Sequence, residues 1–385
     1  MNLFIFAGEH SGDLHGSHLV HRLKSYSPGI SVEGVAGPKM RAQGVTLESV
    51  VGDGKVMEDF EVMGLSDVIC ALPSLYFKFI RIRNHIINTK PDAVVLIDYP
   101  GFNLKMATAL RKQGYQGKII HYISPSVWAW GKHRIETMAK SLDLLLIIYP
   151  FESKYFNETK LKVEYVGNPL SEYLRNYYYD EKWKEKLKIP LNSPIVALFP
   201  GSREAEIKRN LPIMLEAASQ LKKQFPEVLF GVSCAHPCAK EVITHHPFSE
   251  SIYIVPRECT YELMRDSRTA LAKSGTVTLE LALHGTPTVV VYKLTLLNRL
   301  YAKYILKLNL PHYCIVNIIS GHSVFPELIE KDLSTEQIFE QLKRLHLDGK
   351  DRQVCIEECQ KIQNMLGGTD TSALAAKAIL KSVSC

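Results

Sequence analysis

One pattern limits the fold of this chain more than any other: uninterrupted β-branched and aliphatic runs alternate with segments of helical period, and the alternation occurs twice. In the first half the runs are LFIFAG (3–8), DAVVLIDYP (92–100), KIIHYIS (118–124), LLLIIYP (144–150) and VEYVGNP (163–169), with helical patterns at 16–25, 103–112 and 134–140. Runs that are apolar at every position, rather than at alternate ones, belong to strands buried on both faces. Such strands form a parallel sheet covered by helices. The second half repeats the grammar with PIVALFPGSR (194–203), VLFGVSC (228–234), SIYIVP (251–256), TALAKSG (269–275) and TPTVVVYK (286–293). A length of 385 residues also exceeds one ordinary core. These observations predict an α/β protein of two Rossmann-like, doubly wound domains facing a central cleft that holds the active site. The expected boundaries are a first domain over 1–170, a Tyr-, Lys- and Glu-rich linker over 171–193 and a second domain over 194–359. A final helix within 360–385 is expected to cross back onto the first domain or onto a partner chain, the latter giving a homodimer.

Other features exclude more than they select. The opening MNLFIFAGEHSGD has no basic leader and no small-residue cleavage site, so it reads as a strand entering a glycine turn rather than as a signal peptide. No uncharged apolar stretch approaches the ~20 residues of a membrane span. A net charge of +6 suits sugar phosphates, nucleotides or acidic lipid headgroups without choosing among them. No basic stripe with stacking aromatics points to nucleic acid. Eight scattered cysteines, with no CxxC pair and no matching histidines, read as inert thiols of a reducing cytoplasm rather than a metal site.

Several stretches carry chemistry. AGEHSGD (7–13) is a glycine turn between a strand and a helix, either a ligand loop or simply a tight turn. It lacks the G-x-G-x-x-G dinucleotide fingerprint. PGSREAEIKRN (200–210) turns at Gly201 and Ser202 into a helix, so backbone amides there suit a pyrophosphate and Arg203 suits its oxygens. In KSGTVTLELALHGTP (273–287), Ser274, Gly275 and Thr276 open a helix at a strand end. Glu280 follows about a turn later, placed for ribose hydroxyls or else for solvent. Asp98 ends an apolar strand at a Pro-Gly bend, the edge of a parallel sheet that faces a ligand crevice; apolar surroundings there raise a carboxyl pKa toward that of a useful general base. A turn or helix-cap role is its alternative. HYISPSVWAWGKHR (121–134) offers Trp128 and Trp130 as sugar platforms or as core filling. Residues 57–86 place Leu72, Leu75, Tyr76, Phe79 and Ile80 at helical spacing beside Lys78, Arg81 and Arg83. That pattern belongs to an interfacial helix and equally to a buried one.

In order and spacing these blocks closely resemble the lipid-A-disaccharide synthase family over nearly the whole chain. The residues that carry the resemblance are AGExSGD (7–13), MG (63–64), IDYPGFN (97–103), YISPSVWAW (122–130), PFE (150–152), VGNPL (166–170), PGSRxxEI (200–207), SGTxTLE (274–280) and PEL (326–328). The resemblance implies a GT-B fold and an inverting, metal-independent glycosyl transfer without a cofactor. It implies UDP-2,3-diacylglucosamine as donor and 2,3-diacylglucosamine 1-phosphate as acceptor, at the cytoplasmic face of the inner membrane. It gives Asp98 the base role, Arg203 the donor phosphate and Glu280 the ribose. Gly201, Ser202, Ser274, Gly275, Thr276 and Asn317 complete the donor side, although Ile-Val precedes Asn317 where the family has Leu-Pro. The acceptor side takes Gly8, Glu9, Ser11, Gly12, Ser124 and Trp128. Another UDP-sugar transferase, a UDP-sugar epimerase and a nucleotide-binding scaffold are the alternatives.

Overall fold

Two parallel sheets organise the chain in a computed structural model that describes residues 1–46, 65–128, 131–234, 236–293 and 310–384. The first sheet contains β1 (Asn2–Ala7), β2 (Ser31–Val35), β3 (Ala93–Ile97), β4 (Lys118–Tyr122), β5 (Leu144–Ile147) and β6 (Lys162–Tyr165) in the order β2-β1-β3-β4-β5-β6. The second contains β7 (Ile195–Phe199), β8 (Leu229–Cys234), β9 (Ile252–Pro256), β10 (Thr269–Lys273), β11 (Thr288–Tyr292) and β12 (Glu327–Ile329) in the order β12-β11-β10-β7-β8-β9.

The apolar runs behave as strands covered on both sides. Along β1, Leu3, Ile5 and Ala7 enter one core cluster, which Leu19, Val20 and Leu23 of helix His10–Tyr26 cover. Phe4 and Phe6 enter the opposite cluster with Ile82, Ile86, Leu104 and Ala107. Every one of these side chains is almost fully removed from water, which is the main stabilising contribution of an α/β layer structure.

The chain divides into two units, Met1–Glu172 with Gly368–Cys385, and Tyr173–Gly367. Two expectations about the boundaries need correction. Residues from Tyr173 onward are not a linker: Trp183 is fully buried in the second unit's core, and its indole N–H donates to Asp266. Tyr173, Tyr177 and Tyr261 also pack ring against ring. The expected single helix over 360–385 is two helices, Lys350–Leu366 and Thr371–Ser384, broken at Gly367 and Gly368. Glycines end a helix because they lack a stabilising side chain and allow a positive φ, here +78° at Gly368. The last helix lays Ala375, Ala376 and Ile379 into the first unit's core, against helix His10–Tyr26. The helix thus crosses back onto the first unit, the first of its two expected placements.

Among the described residues, no helix is long and apolar enough to cross a membrane.

Candidate active site

In an open parallel sheet the loops after two neighbouring strands diverge wherever strand order reverses, and ligands bind in the crevice this leaves. In the first sheet that point lies between β1 and β3, and Gly8–Glu9 and Asp98–Tyr99 emerge there. In the second it lies between β7 and β10, where Pro200–Arg203 and Ser274–Thr276 emerge.

The turn after β3 is strained. Asp98 and Tyr99 both hold φ at +47°, and Ile123, just after β4, holds +69°. The left-handed region is tolerable for Asp but uncommon for Tyr and unfavourable for a β-branched residue. Asn103, fully buried one turn into helix Pro100–Lys112, fixes the bend: its Nδ2 donates to the carbonyls of Ile97 (3.2 Å) and Asp98 (2.5 Å). Gly8 gives the Tyr99 ring its place, since a Cβ there would stand 3.0 Å from Tyr99 Cδ1. Burial pushes the Asp98 carboxyl above its ordinary pKa, and the Tyr99 backbone N–H partly offsets this.

Other motif residues hold neighbouring loops of the first unit. Asp13 is buried and accepts backbone N–H groups from Lys39 and Met40, which makes it a structural member of the glycine-turn motif. Gly12 is buried, whereas Glu9 and Ser11 are exposed. Ser124 is buried, and its hydroxyl donates to the Pro125 carbonyl. Trp128 packs edge-on against Phe151, and Trp130 lies outside the described residues. Glu152 of the PFE block, which sequence reasoning gave no role, is 1% exposed and accepts the N–H groups of Ile148 and Tyr149. Burial raises its pKa to about 7.

The second unit holds a cavity of about 890 Å³. Six of the eight expected donor-side residues line it: Gly201, Ser202, Arg203, Gly275, Thr276 and Glu280. Gly201 takes φ +124°, which only glycine adopts readily. Asn210 holds the turn in place by donating to the Pro200 carbonyl (3.2 Å). Burial raises the Glu280 pKa, and a 3.1 Å hydrogen bond from the Tyr261 hydroxyl opposes the rise. Tyr261 in turn stacks on His284.

Two of the expected donor-side residues are not among those that line the cavity. Ser274 lies beside the cavity without lining it. Asn317 is fully buried with both ends of its amide engaged: Nδ2 donates to Phe325 O and Glu327 Oε1, and Oδ1 accepts from Val324 and Phe325 N–H. Its role is to hold the turn at 321–325.

The assignment of lipid contact also changes. Leu75 and Phe79 pack on the first unit's core, because they share a helical stripe with the buried Ile82 and Ile86. Among the described side chains of helix Leu65–Thr89, Tyr76 of the expected apolar set and its neighbour Phe77 are exposed, at 62 and 66%. Arg81 is exposed and Lys78 half-buried, and the side chain of Leu72 lies outside the described residues.

Sequence reasoning also missed Lys273, Glu206 and Tyr261 as cavity residues. Lys273 stood directly before a recognised turn, and Glu206 lay inside a recognised block. Tyr261 is supplied by a separate helix and carried no signal. Among the described residues no three His, Cys, Asp or Glu side chains gather as a metal site.

Solved structures share this architecture. A putative UDP-N-acetylglucosamine 2-epimerase from Listeria monocytogenes superposes with TM-score 0.63 at 13% identity, over 100% of this chain and 95% of that one. The UDP-GlcNAc 2-epimerase from Methanocaldococcus jannaschii, solved with UDP-GlcNAc and UDP, gives 0.60 at 13% identity, over 99% of both chains. With its two Rossmann-type sheets, the protein is thus of the GT-B class, the fold of many glycosyltransferases and of these epimerases. Within that class, the lipid-A-disaccharide synthetase family matches residues 3–381, and the chain belongs to it. The lipid-A-disaccharide synthase of Chlamydia muridarum is 41% identical over 369 residues, covering 93% of this chain and 59% of that protein. That of Trichlorobacter lovleyi is 33% identical over 384 residues, 99% of this chain and 97% of that protein. The chain therefore spans under two thirds of its chlamydial relative and nearly all of the other.

Proposed function

We propose that the chain condenses UDP-2,3-diacylglucosamine with 2,3-diacylglucosamine 1-phosphate, giving the β-1,6-linked disaccharide 1-phosphate of lipid A biosynthesis and UDP. The observation that carries this reading is the cavity after β7 and β10, where Arg203, Glu280 and the turns at Gly201 and Gly275 surround a volume suited to a nucleotide. In it Glu280 accepts the ribose hydroxyls, and Arg203 with the turn amides holds the diphosphate. Asp98 takes the proton of the acceptor 6-hydroxyl as that oxygen attacks the anomeric carbon from the face opposite UDP. Its raised pKa suits it to this task. Charge developing on the departing UDP is met by Arg203 and backbone dipoles, in the place a metal ion takes elsewhere.

The acylated substrates imply work at a membrane surface, as a peripheral enzyme on the cytoplasmic face of the inner membrane. Exposed Tyr76 and Phe77 beside Arg81 fit an interfacial contact.

The test is an assay of the purified chain with both acylated substrates in EDTA, following disaccharide and UDP together. Both products are expected in equal amounts. Conversion of UDP-N-acetylglucosamine without any acceptor would instead place the chain with the epimerases. Activity lost in EDTA and restored by Mg²⁺ would overturn the metal-free mechanism.

A further inference from the structure

Glu206 and Lys273 take no part in the transfer as described, yet they form an ion pair inside the cavity that holds the diphosphate. Lys273, the last residue of β10, brings its Nζ to 3.1 Å from Glu206 Oε1, and the side chains are only 17 and 19% exposed. The ammonium also lies 5.0 Å from the centre of the Tyr292 ring. The second carboxylate oxygen of Glu206 rests against the turn after β7: a Cβ built on Gly201 would stand 2.6 Å from it. A carboxylate thus occupies the inner side of the turn that, on the proposed function, receives phosphate oxygens.

A lysine this sheltered needs a counter-charge, and Glu206 supplies one when the cavity is empty. Desolvation offsets much of the attraction in such a pair, so a better anion can displace the carboxylate. A diphosphate carries more negative charge than one carboxylate and presents several acceptor oxygens. Lysine is suited to the exchange, being a compact charge on a flexible four-carbon stem with three donors. We propose that Lys273 is a diphosphate-binding residue, held by Glu206 in the empty cavity and transferred to the ligand's diphosphate on binding. This selects nucleoside diphosphates and their sugars over nucleosides. The inference rests on the reading of the cavity as a UDP-sugar site.

Calorimetric titration of the full chain with UDP and with uridine tests it. Lys273→Met should weaken UDP about tenfold or more while leaving uridine unchanged, because a charge-assisted phosphate contact is lost and the base and ribose contacts remain. Lys273→Arg should keep most of the UDP affinity. Glu206→Gln should tighten UDP severalfold, since the ligand no longer competes with a carboxylate. Lys361→Met, which removes the same charge from an exposed position 69% accessible, controls for net charge and should change nothing.

If the pair is only a cross-tie between two turns, both cavity substitutions weaken UDP and uridine alike, and the proposal is overturned. Unchanged or weaker UDP binding by Glu206→Gln overturns the exchange even if Lys273→Met fails to fold. A wild-type chain that binds no UDP would instead refute the proposed function itself. Wild-type binding with UDP affinity unaltered in both cavity variants refutes only the role of Lys273.

Discussion

Asp98 and Tyr99 take up a left-handed bend without the help of glycine, at a cost of about 1–3 kcal/mol for each sparsely populated backbone state. Asn103 and the gap left by Gly8 hold them there. Asp98→Asn keeps the size and tolerates the same backbone, so the fold and UDP affinity should survive while turnover drops roughly 10²–10⁴-fold. Steady-state kinetics beside a UDP titration checks this, and near-parental turnover would remove Asp98 from the base role. The position of Asp98 was legible from an apolar run ending in Pro-Gly. The strain was not, because Tyr and Ile carry no local signal for positive φ. Glu152 gives a second residue-scale test. Its carboxyl titrates at about 7 in the folded chain against an ordinary 4.5. Between those values the folded state keeps a proton that the unfolded state releases, so this group's contribution to stability declines as pH rises through the window, by about 3 kcal/mol in all. Glu152→Gln should remove that decline. Urea midpoints of parent and variant should therefore separate progressively from about pH 5 to 8, with the variant gaining. Parallel profiles would show that Glu152 is ionised in the folded chain.

The elements were legible where periodicity decided them and ambiguous where two faces were apolar. Doubly apolar runs became strands because nothing else buries both faces. Helix Leu65–Thr89 shows the limit: its sequence offers one stripe through Leu75, Phe79, Ile82 and Ile86 and another through Tyr76 and Phe77. Only the position of the sheet decides which stripe is core. Replacing Tyr76 and Phe77 by Ser should weaken co-sedimentation with anionic vesicles and leave the melting temperature unchanged. Replacing Leu75 and Phe79 by Ser should instead lower the melting temperature, because both side chains pack on the first unit's core. Equal vesicle binding by the Tyr76/Phe77 variant would exclude this helix as the contact. The tyrosines at 173–179 escaped notice for a related reason. A polar, aromatic-rich stretch looks like a linker unless the rings that cover it, here Tyr261 and His284, are known to be near.

The first unit is discontinuous over the whole molecule. Its core needs Ala375, Ala376, Ala378 and Ile379 from the far end of the described chain. Removing residues 368–385 should abolish transfer and eliminate the thermal transition of the first unit, whereas UDP should still bind the second, whose core lies within Tyr173–Gly367. Calorimetry of the truncated chain with and without UDP checks this, and an unchanged first transition would show the helix to be dispensable. The two-domain plan was legible in the repeated grammar, but the exact crossing was not, since Gly367-Gly368 interrupts a helical period that resumes at once. The same discontinuity puts the units on different clocks during synthesis. At about 5–20 residues per second the ribosome needs on the order of ten to forty seconds to make Tyr173–Gly367. Throughout that interval the emerged first sheet lacks Ala375, Ala376, Ala378 and Ile379, which complete its core beside helix His10–Tyr26. The segment translated later can therefore finish folding first, and the nascent first sheet is where a chaperone would be expected to bind.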